Sequence, residues 1–136
     1  DSTVSVFAYT PATGALAEMQ HVSTLLAGFT GENYPSEIAV APSGRFVYCA
    51  NRLHDSLAVF AVDPASGRLT PIAHVPLAGP HETAFPRHFA IDPTGEWLLV
   101  ANQRGHNVAV FRMDTDTGLP EFASAVDITT PMHILF

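Results

Sequence analysis

The sequence reads as all-β, a β-propeller of four-stranded antiparallel blades, with about two and three quarter blades in the chain. Three observations point there. Pro35-Ser-Glu-Ile-Ala-Val-Ala-Pro-Ser-Gly44, followed by Arg45-Phe-Val-Tyr-Cys-Ala-Asn51, recurs 51 positions on as Pro86-Arg-His-Phe-Ala-Ile-Asp-Pro-Thr-Gly95 and Glu96-Trp-Leu-Leu-Val-Ala-Asn102. The register then holds without a gap through Ser56-Leu-Ala-Val-Phe60 against Asn107-Val-Ala-Val-Phe111. Within each unit, four short runs rich in Val, Ile, Leu and Phe are separated by Gly-bearing turns, the composition of paired strands. A β-sandwich also uses short strands with close-set turns, but a gapless repeat of this length argues against it.

Residues 1–34 carry the end of one blade and a crossover, because Val4-Ser-Val-Phe7 and Thr10-Pro-Ala-Thr-Gly14 repeat the second half of the unit. Residues 35–85 are a full blade and its crossover, with strands A to D near 36–41, 45–51, 56–62 and 69–75. Residues 86–130 are the next blade, with strands near 87–92, 96–102, 107–113 and 120–126. Residues 131–136 begin with Pro131-Met-His-Ile134 and restart the pattern as the first strand of a next or closing blade. The A-to-B turns, Pro42-Ser-Gly44 and Pro93-Thr-Gly95, place Pro where φ is fixed and Gly where φ must be positive. Continuous apolar strands such as Trp97-Leu-Leu-Val-Ala101 need both faces covered, which stacked blades supply. Closed rings take about four blades or more. The 136 residues are therefore expected to belong to a longer propeller or an assembly, with remaining blades or self-association covering the exposed blade faces.

Composition narrows the function. Thirteen acidic residues against six basic ones, all Arg, give a net charge of -7, so nucleic acid is not an expected partner. The longest apolar run, Leu57 to Val62, is six residues, far short of the roughly 20 a membrane-crossing helix needs. No membrane association is expected. A single cysteine, Cys49, cannot form an internal disulfide, and its apolar strand marks it as buried and inert. A reducing, cytoplasmic location is expected, and the start at Asp1, without initiator Met or signal-like segment, looks like a cut end.

Chain reversal at each turn puts the D-to-A crossover, the start of A, the end of B and the B-to-C loop on one face of the ring. That face carries what differs between copies. Glu37 opens one inner strand, Arg87 and His88 the next, and His133 the last; Arg52 follows Asn51, and Gln103 follows Asn102. The crossover from Leu77 to Phe85 adds His81 and Glu82. A carboxylate between arginines suits an anionic substrate while offering a proton acceptor. Plainer readings stand beside this one: an inter-blade ion pair for Glu37 with Arg52 or Arg87, a core histidine for His88, loop-holding roles for Asn51 and Asn102, and solvated positions for His54 and His106. The seven histidines show no tight ligand spacing and there is no Cys-x-x-Cys, so no metal is expected; a site assembled from His81, His88 and His133 is the alternative. Tyr48, Phe60, Trp97 and Phe111 read as packing.

The strings Ser36-Glu-Ile-Ala-Val-Ala-Pro-Ser-Gly-Arg-Phe-Val-Tyr-Cys-Ala-Asn-Arg52 and Pro86-Arg-His-Phe-Ala-Ile-Asp-Pro-Thr-Gly95 resemble the lactonase family of seven-bladed propellers, which includes propeller-type 6-phosphogluconolactonases and carboxymuconate cyclases. The resemblance runs over nearly the whole chain, is strongest from 35 to 118, and corresponds to the family's C-terminal blades. It implies Glu37, Arg87 and His88 as catalytic candidates and Arg52, His81, Asn102 and Gln103 as substrate-binding candidates. The implied activity is hydrolysis of a small anionic sugar-acid lactone without metal or cofactor. The alternatives are a lactonising cycloisomerase using the same groups and a non-catalytic binding propeller. Two positions depart from the family pattern: Leu53 stands where a small residue is expected, and the Gln103-Arg-Gly-His106 loop is more basic than usual.

Overall fold

The computed structural model describes residues 1–79 and 81–136; Pro80, within the expected crossover, lies outside the described residues. Strands β1 (Thr3–Thr10) and β2 (Ala15–Ser23) form a hairpin. β3 (Tyr34–Val40), β4 (Phe46–Arg52), β5 (Ser56–Val62) and β6 (Leu69–Pro76) make one antiparallel meander, and β7 (Pro86–Ile91), β8 (Trp97–Asn102), β9 (Asn107–Met113) and β10 (Pro120–Asp127) make another. These meanders are the expected A-to-D units, with strand ends within two residues of the expected ones. The hairpin supplies C and D of the preceding unit. Gly44 and Gly95 close the A-to-B turns at φ 71° and 77°. Residues 131–136, expected as a first strand, carry no strand ladder. A strand is defined by bonds to a neighbour, and the described residues supply none beyond this segment.

Period-two alternation explains why the middle strands are apolar throughout. Phe46, Tyr48 and Ala50 on β4, with Leu57 and Val59 on β5, pack against Phe89, Leu98, Val100, Ala109, Phe111 and Met113 of the third sheet. The alternate residues Val47, Cys49, Ala58 and Phe60 pack with Val4 of the hairpin. Each face of the middle sheet therefore has its own core. Burial pushes the Cys49 thiol up to about 11, which leaves it protonated and unreactive at neutral pH.

Polar contacts lock the two full sheets at the rim opposite the expected site. The buried Tyr48 hydroxyl donates to the Gly118 carbonyl at 2.9 Å, and Arg45 donates to the Thr115 carbonyl. On the far side of the third sheet, Trp97, Leu99, Val108 and Val110 stay only half-buried. Their repeat equivalents in the middle sheet, Phe46, Tyr48, Leu57 and Val59, are buried because a further sheet covers them. Among the described residues no helix is long and apolar enough to cross a membrane.

Candidate functional site

The inner strands β3 and β7 lie side by side and both lose register just after an opening proline. Pro35 pairs with Asn51 and Ile38 with Cys49, while Pro86 pairs with Asn102 and His88 with Ala101. The intervening residues, Ser36 and Glu37 in one strand and Arg87 in the other, occupy β-bulges, which bend a strand and re-aim its side chains. Ser36 Oγ donates to the Pro86 carbonyl at 2.7 Å and so ties one bulge to the other.

Glu37, His88 and His133 each stand second after the proline that opens their repeat, Pro35, Pro86 and Pro131. They meet in one concavity of about 410 Å³. His88 Nε2 lies 3.2 Å from Glu37 Oε2, and the His133 ring sits on that of His88 with centroids 3.9 Å apart. The Ile134 N–H donates to His88 Nδ1 at 3.4 Å. Nδ1 is thereby an acceptor, which puts the ring proton on Nε2, directed at Glu37. Burial, then the neighbouring His133, then the Arg87 guanidinium hold His88 below its ordinary pKa, against the opposite pull of Glu37. The contact is thus a hydrogen bond from a neutral imidazole to a carboxylate, not an ion pair. Glu37 Oε1 accepts the Ile38 N–H at 3.0 Å. A carboxylate has about four lone-pair positions, so acceptor capacity remains toward the concavity, and this side chain is 32% exposed.

The arginines are arranged differently from the carboxylate-between-arginines expectation. Among the described residues Arg52 pairs with no carboxylate: its Nε donates to the Tyr34 carbonyl and its Nη2 to the Pro35 carbonyl, both at 3.1 Å. Two backbone carbonyls at the strand opening capture it before Glu37 can. Arg87 is exposed and close enough to Arg52 and His88 to disfavour charge on both. A third arginine joins them from the β8–β9 loop. The Arg104 guanidinium stacks 3.9 Å from the Phe85 ring centroid, and Arg52 lies 5.6 Å from the same ring. Half of the six arginines of an acidic chain gather here.

Other expected residues fall elsewhere. Asn102 is fully buried; its Nδ2 donates to the Leu77 carbonyl at 2.8 Å and to Asn107 Oδ1 at 3.1 Å. It holds the crossover to the sheet. Asn51 does the same work, donating to the Thr24 carbonyl at 2.6 Å. Gln103 is partly exposed and donates to Met132 Sδ at 3.0 Å, next to His133. His81 is anchored through its backbone to Ala78, and among the described residues its side chain joins neither the histidine pair nor the arginines. No group of three or more His, Cys, Asp or Glu side chains is set to hold a metal among the described residues. His54, read as solvated, instead meets Ser56 Oγ at 2.6 Å and packs edge-on to Phe29.

The residue that sequence reading passed over is Asp55. Its carboxylate accepts from Leu53 N–H at 3.2 Å, Thr83 Oγ1 at 3.1 Å, Ala84 N–H at 2.8 Å and Phe85 N–H at 2.9 Å. It pins the crossover directly before Pro86-Arg87-His88 and fixes Phe85 at φ 50°, a conformation bulky residues avoid. Its repeat equivalent, His106, accepts the Thr130 N–H through Nδ1 at 3.3 Å, and Thr130 likewise has φ 46°. The signal in the sequence was the pairing of positions 55 and 106 with the residue before each following proline.

A family model described as a seven-bladed β-propeller lactonase matches residues 1–136. A protein named 6-phosphogluconolactonase from Bacillus subtilis is 39% identical over 129 residues, covering 94% of this chain and 36% of the relative. One from Pectobacterium carotovorum, with the same name, is 36% identical over 118 residues, covering 87% of this chain and 34% of the relative. Among solved structures, a periplasmic gluconolactonase from Pseudomonas aeruginosa superposes with a TM-score of 0.87 at 34% identity, over 97% of this chain and 36% of that one. The chain spans about a third of the length of the curated relatives it matches.

Proposed function

The chain belongs to the seven-bladed β-propeller lactonase family, and from that premise we propose that it supplies the catalytic rim of a hydrolase for a small anionic sugar-acid lactone. One observation carries the reading. The Glu37 carboxylate is oriented by a neutral His88 at the edge of a concavity, beside arginines that have no carboxylate partner among the described residues. The names of relatives support a 6-phosphogluconolactone-type substrate.

Glu37 is the general base. It takes a proton from water while the water oxygen bonds to the lactone carbonyl carbon. The exposed Arg87 faces the oxyanion that then develops; a pre-organised donor of this kind contributes about 3 kcal/mol. Collapse breaks the ring C–O bond, and the proton held by Glu37 passes to the departing ring oxygen. His88 is a positioning residue, since both of its nitrogens are engaged. Proton and charge balance without a metal or cofactor.

The test is acid release from the lactone, followed at constant pH with the complete propeller. Glu37→Gln and Arg87→Ala are each expected to lower turnover at least tenfold, and unchanged rates would refute the assignment. An unsaturated dicarboxylate offered in parallel reports cyclisation, the alternative chemistry for the same groups. Turnover of neither substrate would leave a binding propeller as the reading.

A further inference from the structure

The chain carries sulfur at Met19, Met113, Met132 and its single cysteine, Cys49. Met113 and Cys49 are buried in the two cores, and Met19 is partly buried on β2. Met132 is 49% exposed. It follows Pro131 as Arg87 follows Pro86, and Arg87 stays exposed although β3 flanks it on one side and residues 131–136 on the other. The position is therefore expected to open on the rim of a complete propeller as well. Met132 Sδ lies 3.0 Å from Gln103 Nε2, an amide donor set on a thioether, which is a weak acceptor. The two partners are held unequally. The Gln103 backbone N–H donates to the Phe85 carbonyl at 3.2 Å, which fixes its loop, whereas residues 131–136 carry no strand ladder. That segment meets the site through the His133 ring on His88 and the Ile134 N–H on His88 Nδ1.

We propose that Met132 is an oxidation site through which a hydroperoxide restrains the Glu37–His88 pair. The proposal rests on the lactonase reading and adds regulation of that same site. The Sδ lone pair attacks the outer oxygen of the hydroperoxide. An S–O bond forms, the O–O bond breaks, and the hydrogen of the outer oxygen passes to the departing one, leaving an alcohol or water. Sulfur is oxidised by two electrons and the peroxide is reduced by two. The side chain becomes polar, and its new oxygen replaces sulfur as the acceptor for the Gln103 amide. The present 3.0 Å between Sδ and Nε2 leaves no room for that oxygen, since an N–H···O contact alone takes about 2.9 Å. The unladdered segment gives way, drawing the Ile134 N–H from His88 Nδ1 and the His133 ring from the face of His88. The charged or titratable groups facing His88 are Glu37 from β3, Arg87 on its own strand and His133, and of these it is His133 that moves. With Nε2 already protonated, a second proton enters at Nδ1, which is now open. Oxidation thus favours the imidazolium that draws charge from the Glu37 base.

In the complete propeller, hydrogen peroxide should add one oxygen to Met132, read by peptide mass spectrometry. It should also move the acid limb of kcat/KM to higher pH, lowering the rate on that limb by about fivefold or more. A methionine sulfoxide reductase should reverse both changes. Met132→Leu, close in volume and unable to take up oxygen, should keep its own profile through the same treatment, which separates Met132 from Met19, Met113 and Cys49. Met132→Gln, which sets a polar acceptor there without peroxide, should move the limb in the same direction. A Met132 that resists peroxide, an oxidised Met132 with the profile in place, or an equal response in Met132→Leu overturns the proposal while leaving lactone hydrolysis intact. If the propeller opens no lactone, the His88 imidazole resonances, titrated by NMR before and after oxidation, carry the test. An upward shift then sustains the link from Met132 to His88 and removes the hydrolytic reading, and an unmoved titration overturns both.

Discussion

His88 offers its Nε2 proton to Glu37 across 3.2 Å, and the two residues occupy the same position of consecutive repeats. The contact therefore joins two blades as well as two functional groups. It sets a pH dependence whose sign follows from the tautomer. A second proton on His88 must go to Nδ1, where it would confront the Ile134 N–H, and the resulting imidazolium would draw charge from the Glu37 base. Activity is thus expected to fall on the acid side with a midpoint below 6.5, the ordinary histidine value from which His88 is lowered. The Arg87 guanidinium contributes to that lowering, so Arg87→Ala should move the acid limb of kcat/KM to higher pH in addition to reducing its height. Stability follows the same sign: the folded chain resists protonation of His88 more than the unfolded chain does, so this contribution is present above the unfolded pKa and fades as pH falls through the folded one. A limb that stays in place in Arg87→Ala would contradict the arrangement.

Asp55 accepts from four donors, the Leu53 N–H of its own loop and three in the crossover that delivers Phe85, Arg87 and His88. Of these, the Ala84 N–H belongs to a fully buried residue. Asp55→Ala leaves the donors without an acceptor and is expected to destabilise the fold by about 1–3 kcal/mol, measured by urea unfolding of the complete propeller. Asp55→Asn keeps one acceptor oxygen and should lose less. In both variants KM for the lactone should rise more than kcat falls, because the arginine platform on Phe85 loosens before the Glu37–His88 pair does.

Much of this was legible from the letters because the repeat fixes the strands. Strand ends, positive-φ glycines in the A-to-B turns and the packing roles of Tyr48, Phe60 and Phe111 all follow from a pattern read twice. The site was legible only as a rim. Sequence placed Glu37, Arg52, Arg87 and His88 on one face, yet it could not show that backbone carbonyls would claim Arg52 or that His88 would take Glu37. Those choices depend on bulges of one or two residues in β3 and β7, below the resolution of any hydrophobic period. Asn102, expected at the substrate, turns its amide inward to the Leu77 carbonyl, because the end of a strand can face either the rim or the interior. Leu53 shows the reverse case. A small residue was expected there, and the backbone at φ 73° explains why, since left-handed geometry favours residues without a bulky side chain.

The lock between the full sheets offers a stability test away from the site. Gly118 has φ 75°, and a Cβ added there would stand 2.5 Å from Phe46 Cδ1. Gly118→Ala combines left-handed strain of about 1–2 kcal/mol with that clash, so a loss of about 2 kcal/mol or more is expected in urea unfolding. Phe46→Ala removes the clashing ring, at a cavity cost of its own of about 3–5 kcal/mol. The double variant should therefore lose less than the sum of the two single losses, and strict additivity would show that the ring and the turn are not in contact. Tyr48→Phe, which removes the bond to the Gly118 carbonyl, should cost about 1 kcal/mol.

The two ends of the stack differ from its middle in a way that governs how the 136 residues behave alone. β4 and β5 are apolar on both faces and covered on both, whereas Trp97, Leu99, Val108 and Val110 of the third sheet are covered on one side only. At the other end Phe7, Tyr9 and Leu16 of the hairpin are 45%, 62% and 64% exposed. Apolar surface left in water favours association at about 25 cal/mol per Å² buried, and open strand edges add a template for pairing. Expressed by themselves, these residues are expected to self-associate in sedimentation velocity, with a weight-average mass that rises with concentration. Co-expression with the remaining blades should suppress that rise and sharpen the melt. Trp97→Glu, which places a charge on the half-covered face, should reduce association of the isolated chain while destabilising the complete propeller, where a neighbouring blade is expected to cover that face. A concentration-independent monomer with a cooperative melt would mean that these faces are satisfied within the chain, contrary to their exposure.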